Sequence, residues 1–174
     1  MADGRPTERI VIGVDQSEAA RSVLEFGLRD AARRGAAVEI ITAYHNLEYW
    51  AVSYGMPTPP TDDEDIKSNV TASTQALVDE VRAALPADVA PPALLVEARL
   101  GAPTNVLLEA AHGAALLIVG HRGHGGFASM VLGSVSMHCV LHATCSVTVV
   151  RPVPATDSAT PPGVTPGGQG HPPG

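Results

Sequence analysis

Cysteine is scarce in this sequence: Cys139 and Cys145 are the only two in 174 residues. A disulfide-dense secreted fold is thereby excluded, and residence in a reducing, cytoplasmic compartment is expected. Lysine is scarcer still, with Lys67 alone. A phosphate loop of the form Gly-x-x-x-x-Gly-Lys-Ser/Thr, which needs its lysine, is therefore excluded. No apolar run approaches the ~20 residues of a membrane span, and the polar stretch from Met1 to Arg9 has no apolar signal core, so neither insertion nor export is expected. Basic residues are outnumbered, 11 against 18 acidic, and the formal charge of -7 repels a nucleic-acid backbone at long range. What remains is a chain of single-domain size, able to bury roughly two-thirds of its unfolded surface without staples.

Strand and helix patterns alternate along it. The β-branched run from Arg9 to Asp15 reads as a strand buried on both faces. Ser17 is placed to cap a helix in which Ala20, Val23, Leu24, Leu28 and Ala31 recur at helical spacing until Gly35 stops it. Val38 to Tyr44 is a second strand. The stretch from His45 to Thr61, with Pro57, Pro59 and Pro60, reads as a loop; the acidic cluster Asp62 to Asp65 then opens a helix that runs to Leu85, before Pro86. Leu94 to Leu100 is a third strand, Pro103 starts a short helix ending near His112, and Ala115 to Val119 is a fourth strand. A helix from Ser134 to about His142 and a strand from Ser146 to Val150 complete the pattern. Such alternation predicts one doubly wound, Rossmann-like α/β domain: a five-stranded parallel sheet with helices on both faces. The expected organisation is an N-terminal tail over 1–7, the domain over 8–152, and a Pro/Gly-rich tail over 153–174 whose composition predicts disorder.

Open α/β sheets bind ligands at the carboxyl ends of their strands, so the loops there carry the chemistry. After the fourth strand, glycines 120, 123, 125, 126 and 133 permit positive φ and close approach. Successive backbone N–H groups can then form a concave anion site backed by a helix N-terminus, to which Ser134 adds a hydroxyl. Between Glu109 and Asp157 there is no acidic residue, while Arg122, Arg151 and histidines 112, 121, 124, 138 and 142 all fall there. That distribution favours a polyphosphate locally, with Arg122 meeting its charge. The alternative is a flexible glycine-rich surface loop. Gly123 to Ala128 also matches the dinucleotide pattern G-x-G-x-x-A, but late in the fold and without an acidic residue about 20 positions on, which argues against a dehydrogenase.

The loop after the first strand is Gly13-Val14-Asp15-Gln16-Ser17. Its aspartate is either a ligand-side group or a turn cap. His138 and His142 share a helical face, yet Cys139 points off it and no carboxylate is near, so no metal site is assigned. Cys145 opens a strand and is expected to pack as a small apolar residue.

The spacing Gly120-x2-Gly123-x9-Gly133-Ser134 resembles the G-2x-G-9x-G-S/T signature of the universal stress protein family, in its ATP-binding branch. The likeness extends to Ile-Val-Ile-Gly-Val-Asp15-x-Ser17, to Gly133-Ser-Val-Ser136, and to the closing segment with Cys145, Val147 to Arg151 and Pro152. It implies strand order 3-2-1-4-5, which sets Asp15 beside Gly120. It further implies bound ATP, alone or with Mg2+, or another adenine nucleotide. Asp15, with Gly13 and Val14 in the same loop, would lie near the ribose and phosphates and Ala43 at the adenine. Gly120, Gly123, Gly133 and Ser134 would hold the phosphates, with Val135 at the pocket edge. Two positions depart from the family: Gln16 stands where a glycine is usual, and Ser146 where a proline is. An exposed apolar edge from Val147 to Val150 is a pairing liability, and with the family's habit it implies a homodimer through that strand. The expected function is a nucleotide-responsive regulatory or stress-response protein without an assigned catalytic residue. The alternative is a weak Mg-dependent ATPase or phosphotransferase in the same pocket, for which Asp15 with His121 or His124 are the available groups.

Overall fold

A computed structural model of the chain describes residues 8–45, 55, 63–89, 93–123 and 132–152. The expected tails 1–7 and 153–174, most of the expected loop 45–61, and Gly125 and Gly126 lie outside these residues. Within them the alternating pattern becomes β1 (Arg9–Gly13), α1 (Ala19–Arg34), β2 (Ala37–Tyr44), α2 (Asp63–Ala84) and β3 (Leu94–Leu100). It continues with α3 (Pro103–Ala110), β4 (Leu116–Gly120), α4 (Ser134–His142) and β5 (Ser146–Val150). The five strands form one sheet in the order β3-β2-β1-β4-β5, parallel at every pairing.

Packing follows from the apolar runs. Ile10 and Ile12 of β1 and Leu116 and Ile118 of β4 face α1 and α2, which contribute Val23, Leu24, Leu28, Val78 and Val81. Val11, Ile41, Leu117 and Val119 point the other way, to Val106, Leu107 and Ala110 of α3 and Cys139 of α4. Both faces are therefore covered, which is why the central strands read as continuous apolar runs rather than alternating ones. Helix α1 approaches β1 so closely at Gly27 that a β-carbon there would collide with Ile12. The helix ends as expected at Gly35, whose φ of 63° is left-handed and whose N–H donates to the carbonyls of Ala31 and Ala32.

Two local expectations are corrected. Strand β1 stops at Gly13 rather than Asp15: Val14 N–H makes the last ladder bond, to Ile41 O (3.0 Å), and the Asp15 carboxylate then draws in the next turn. Ser17 does not cap α1 with its side chain: the N-cap is Glu18, without a capping side-chain bond, and the Ser17 hydroxyl donates to Asp15 instead.

On the α3 side, beside Ile41, β2 and β3 also carry a cluster of charge. Glu39, 9% exposed, lies between Arg9 and Arg99, the latter at 2.6 Å, and Arg99 also meets Glu97 at 2.9 Å. Arg9 in addition donates to the carbonyls of Ala110 (2.9 Å) and His112 (2.6 Å) at the C-terminal end of α3, the end where cations are favoured. Removing the shared anion leaves two arginines facing each other. Glu39→Ala is expected to lower unfolding free energy by roughly 2–3 kcal/mol, whereas Glu97→Ala, at the more exposed end, should cost under about 1 kcal/mol. Denaturant unfolding of both variants checks the contrast, and equal losses would contradict it.

Candidate functional site

The order β3-β2-β1-β4-β5 reverses the direction of connection between β1 and β4, and a crevice opens at their carboxyl ends. It is a cavity of about 540 Å³. Gly13, Val14 and Asp15 enter it from the end of β1, and Ala43 from β2; Gly120, Arg122 and Gly123 enter from the end of β4. Gly133, Ser134 and Val135 contribute from the start of α4. The residues named from sequence for nucleotide contact thus line a single cavity, apart from Gly125 and Gly126, which lie outside the described residues. Sequence reasoning missed Pro103 and Leu107 of α3, along with Ile41, Val119 and Ser136. The apolar ones carry no signal to separate a cavity wall from ordinary core, because the same helical and strand periodicity serves both.

Each loop is held by identifiable bonds. Asp15 Oδ1 accepts the backbone N–H of Ser17 (3.1 Å) and its hydroxyl, so this aspartate is a turn cap and a cavity wall at once. Its Oδ2 faces Gly123, where a β-carbon would come within 2.5 Å of that oxygen. The glycine loop is closed at its base: His121 N–H donates to Val150 O (2.8 Å), Gly133 N–H donates to His121 O (2.7 Å), and the Ser136 hydroxyl donates to Gly120 O. A β-carbon on Gly133 would sit 3.3 Å from His121 O, and one on Gly120 3.3 Å from Arg122 O and Val23. None of Gly120, Gly123 and Gly133 has positive φ. Of the two expected uses of these glycines, left-handed backbone is therefore corrected, while close approach is what the contacts show: two loops and a helix terminus meet there.

Across the cavity the character changes. Ile41, Pro103, Leu107, Val119 and Val135 make an apolar wall; Asp15, Ser17, Arg122, Gly123 and Ser134 make a polar end in front of α4. Gly13 lets Leu107 reach that wall, since a β-carbon there would lie 2.7 Å from a Leu107 methyl. Backbone polarity is available at the apolar end. In a parallel pair, alternate residues bond to opposite neighbours, and Ile41 O already accepts from Val14 on the β1 side. Ala43, two residues on, faces the same side beyond the last β1 partner, Gly13, and so turns its N–H and C=O toward the crevice.

His121 does not line the cavity, although Arg122 beside it does. Burial, reinforced by the charges of Arg122 and Arg151, pushes its pKa below the usual histidine range, and its Nδ1 is buried without a hydrogen-bond partner. His124, the other acid–base group considered, lies outside the described residues. On α4 the rings of His138 and His142 meet at 4.3 Å between centroids, tilted by 43°, and among the described residues no three His, Cys, Asp or Glu side chains gather closely enough to hold a metal. Cys139 is buried and Cys145 half-buried, both as free thiols packed with the α3–α4 core, and burial pushes both pKa values up. No helix among the described residues is long and apolar enough to cross a membrane.

A parallel 3-2-1-4-5 sheet with a glycine loop running into a helix at its switch point defines the doubly wound, Rossmann-like class of α/β proteins. Within that class the chain belongs to the universal stress protein family, whose sequence pattern matches residues 6–151. A universal stress protein of Mycolicibacterium smegmatis is 32% identical over 145 residues, covering 82% of this chain and 45% of the relative. The chain spans about half the length of the curated relatives it matches. Among solved structures, a universal stress protein in complex with cAMP is 24% identical, covers 83% of this chain and 97% of its own, and has a TM-score of 0.58. The Archaeoglobus fulgidus universal stress protein in complex with dAMP is 23% identical, with coverages of 82% and 96% and a TM-score of 0.51. Both share the fold.

The lowered pKa of His121 has a signed consequence. The unfolded chain takes up this proton near pH 6.5 and the folded chain only at lower pH, so stability present above about 6.5 is lost as pH falls through that window. Between about pH 7 and about pH 5 the wild type is expected to lose more unfolding free energy than His121→Asn. Urea titrations across that range measure it, and parallel pH profiles would rule His121 out as a source.

Proposed function

We propose that this chain is a regulatory or stress-response protein that binds an adenine nucleotide, ATP foremost, in the cavity between β1 and β4. The observation that carries the reading is the polarity of that cavity: an apolar wall with backbone N–H and C=O at Ala43, and opposite it the loops and the α4 N-terminus around Asp15, Gly123 and Ser134. Adenine offers a donor at N6 beside an acceptor at N1, which Ala43 C=O and N–H complement; guanine presents the reverse pair and would leave both backbone groups unsatisfied. At the other end the phosphates meet Arg122, the Ser134 hydroxyl and the backbone of Gly120, Gly123 and Gly133, a setting suited to anions. Gly13, Val14 and Asp15 flank the ribose, and Val135 closes the edge. Mg2+ would supply further charge neutralisation to a triphosphate, with Asp15 the nearest carboxylate. The two solved relatives named above are described as complexes with cAMP and dAMP, both adenine nucleotides.

Assembly belongs to the same reading. Strand β5 is an edge of the sheet, and α4 beside it exposes Met137, Val140 and Leu141 at 47%, 47% and 67%. Val135 on α4 faces the cavity, so Val140 and Met137 lie on the opposite flank, toward the β5 edge. A homodimer joining the Val147–Val150 strands would pair the open backbone groups and cover this apolar stripe together.

Two outcomes test these statements. Gly123→Val places a branched side chain against Asp15 Oδ2 and is expected to weaken ATP binding by at least about 100-fold with helix content retained, whereas wild type should prefer ATP over GTP by about tenfold or more. Calorimetric titration with circular dichroism decides it, and unchanged ATP affinity in the variant would remove the loop from the site. A Val140→Glu and Leu141→Glu double variant should convert a dimer to a monomer by light scattering, and a monomeric wild type would end the assembly proposal.

A further inference from the structure

The cavity does not end at the glycine loop. A second, more open recess of about 550 Å³ begins there; Ser17, Ala19, Arg122 and Gly123 line both, and Gln16, Glu18 and Pro152 line the second alone. The shared residues form a waist between the two chambers. Arg122 and Ser17 stand at the waist. Beyond it lie Glu18 and Gln16, whose carboxylate and carboxamide are the polar groups of a recess otherwise lined largely by apolar surface, Pro152 included. Glu18 is the N-cap of α1 with helical backbone (φ −59°, ψ −26°), and its side chain makes no capping bond, so the helix does not consume this carboxylate. Gln16 and Glu18 are both exposed, so neither is required by the core.

An adenine nucleotide with its base at Ala43 brings its phosphates to the waist and leaves the second recess to solvent. A free terminal phosphate driven past Arg122 meets Glu18, like charge against like. Joining that phosphate to a sugar changes the balance in two ways. The ester removes about one negative charge, and the sugar hydroxyls become donors to a carboxylate and a carboxamide that accept them. Resting on the adenine-nucleotide reading of the first cavity, we propose that the recess formed by Gln16, Glu18 and Pro152 is a subsite for the second sugar of an ADP–sugar ester. In this arrangement the pyrophosphate spans the waist at Arg122, and ADP-ribose is the simplest ligand of the class.

Calorimetric titration of the full chain with ADP and with ADP-ribose tests the assignment, in wild type and in Glu18→Ala. Wild type is expected to bind ADP-ribose about tenfold more tightly than ADP, from charge-assisted hydrogen bonds at Glu18. In Glu18→Ala the ratio should fall to about one while ADP binds as well as before or better, since a repelling carboxylate is gone. ADP binding with no gain for ADP-ribose, or a preference that survives Glu18→Ala, overturns the subsite and leaves the nucleotide reading standing. Failure of both ligands to bind wild type overturns the nucleotide reading and the subsite with it.

Discussion

Strand β1 is hydrogen-bonded on both sides to strands that reach it by connections running in opposite directions, and the site depends on that arrangement. Ile10, Val11 and Ile12 are fully buried between β2 and β4 and between the two helical layers, so β1 cannot shift without breaking both cores. Because β2 and β4 flank it, the connections leaving their carboxyl ends diverge to opposite faces and leave a gap above Gly13. Into that gap the chain delivers Asp15 from one loop and Gly123 from the other. They approach so closely that a β-carbon on Gly123 would displace the Asp15 carboxylate. The polar end of the cavity is thus a consequence of sheet topology, with glycine required by contact distance.

Charge shows how folding can alter a message written along the chain. The stretch from Glu109 to Asp157 contains no acidic residue, which reads as a locally cationic loop. In the folded protein the first loop brings acid back: Asp15 reaches Gly123, and Glu18 lines the recess next to Arg122. The phosphate end is therefore balanced between one arginine and two nearby carboxylates. On the nucleotide reading proposed above, backbone dipoles and the start of α4 would share the holding of a ligand there with Arg122, and its number of negative charges would be a selective property. The same folding sets Glu39 between Arg9 and Arg99, three residues far apart in sequence that form a cluster of charge on one part of the sheet.

Much of this was legible in the sequence because its local and global signals agree. The β-branched runs became β1, β2, β4 and β5, and Gly35 and Pro103 fell at the helix ends where their backbone preferences place them. Strand order required the family resemblance, since alternation alone fixes parallel pairing but not which strands are neighbours. The spacing of Gly120, Gly123, Gly133 and Ser134 pointed to the loops that line the cavity, and of the two uses expected of the glycines the structure shows the second: their φ values are ordinary and their neighbours are close. Pro103 and Leu107 escaped notice because a cavity wall and a core obey the same periodicity. The capping role expected of Ser17 was misplaced, for a serine that bonds back to Asp15 is indistinguishable in sequence from one that caps forward.

The central claim is that one adenine nucleotide spans from Ala43 to the start of α4. It is tested most directly by following backbone amide resonances of the isotopically labelled protein during titration with ATP. The account predicts saturable shifts at Ala43 and at Gly120, Gly123 and Ser134 together, with the same midpoint, while the amides of the β3 edge stay still. Saturable binding whose shifts fall elsewhere, or shifts at the loop without any at Ala43, would contradict it.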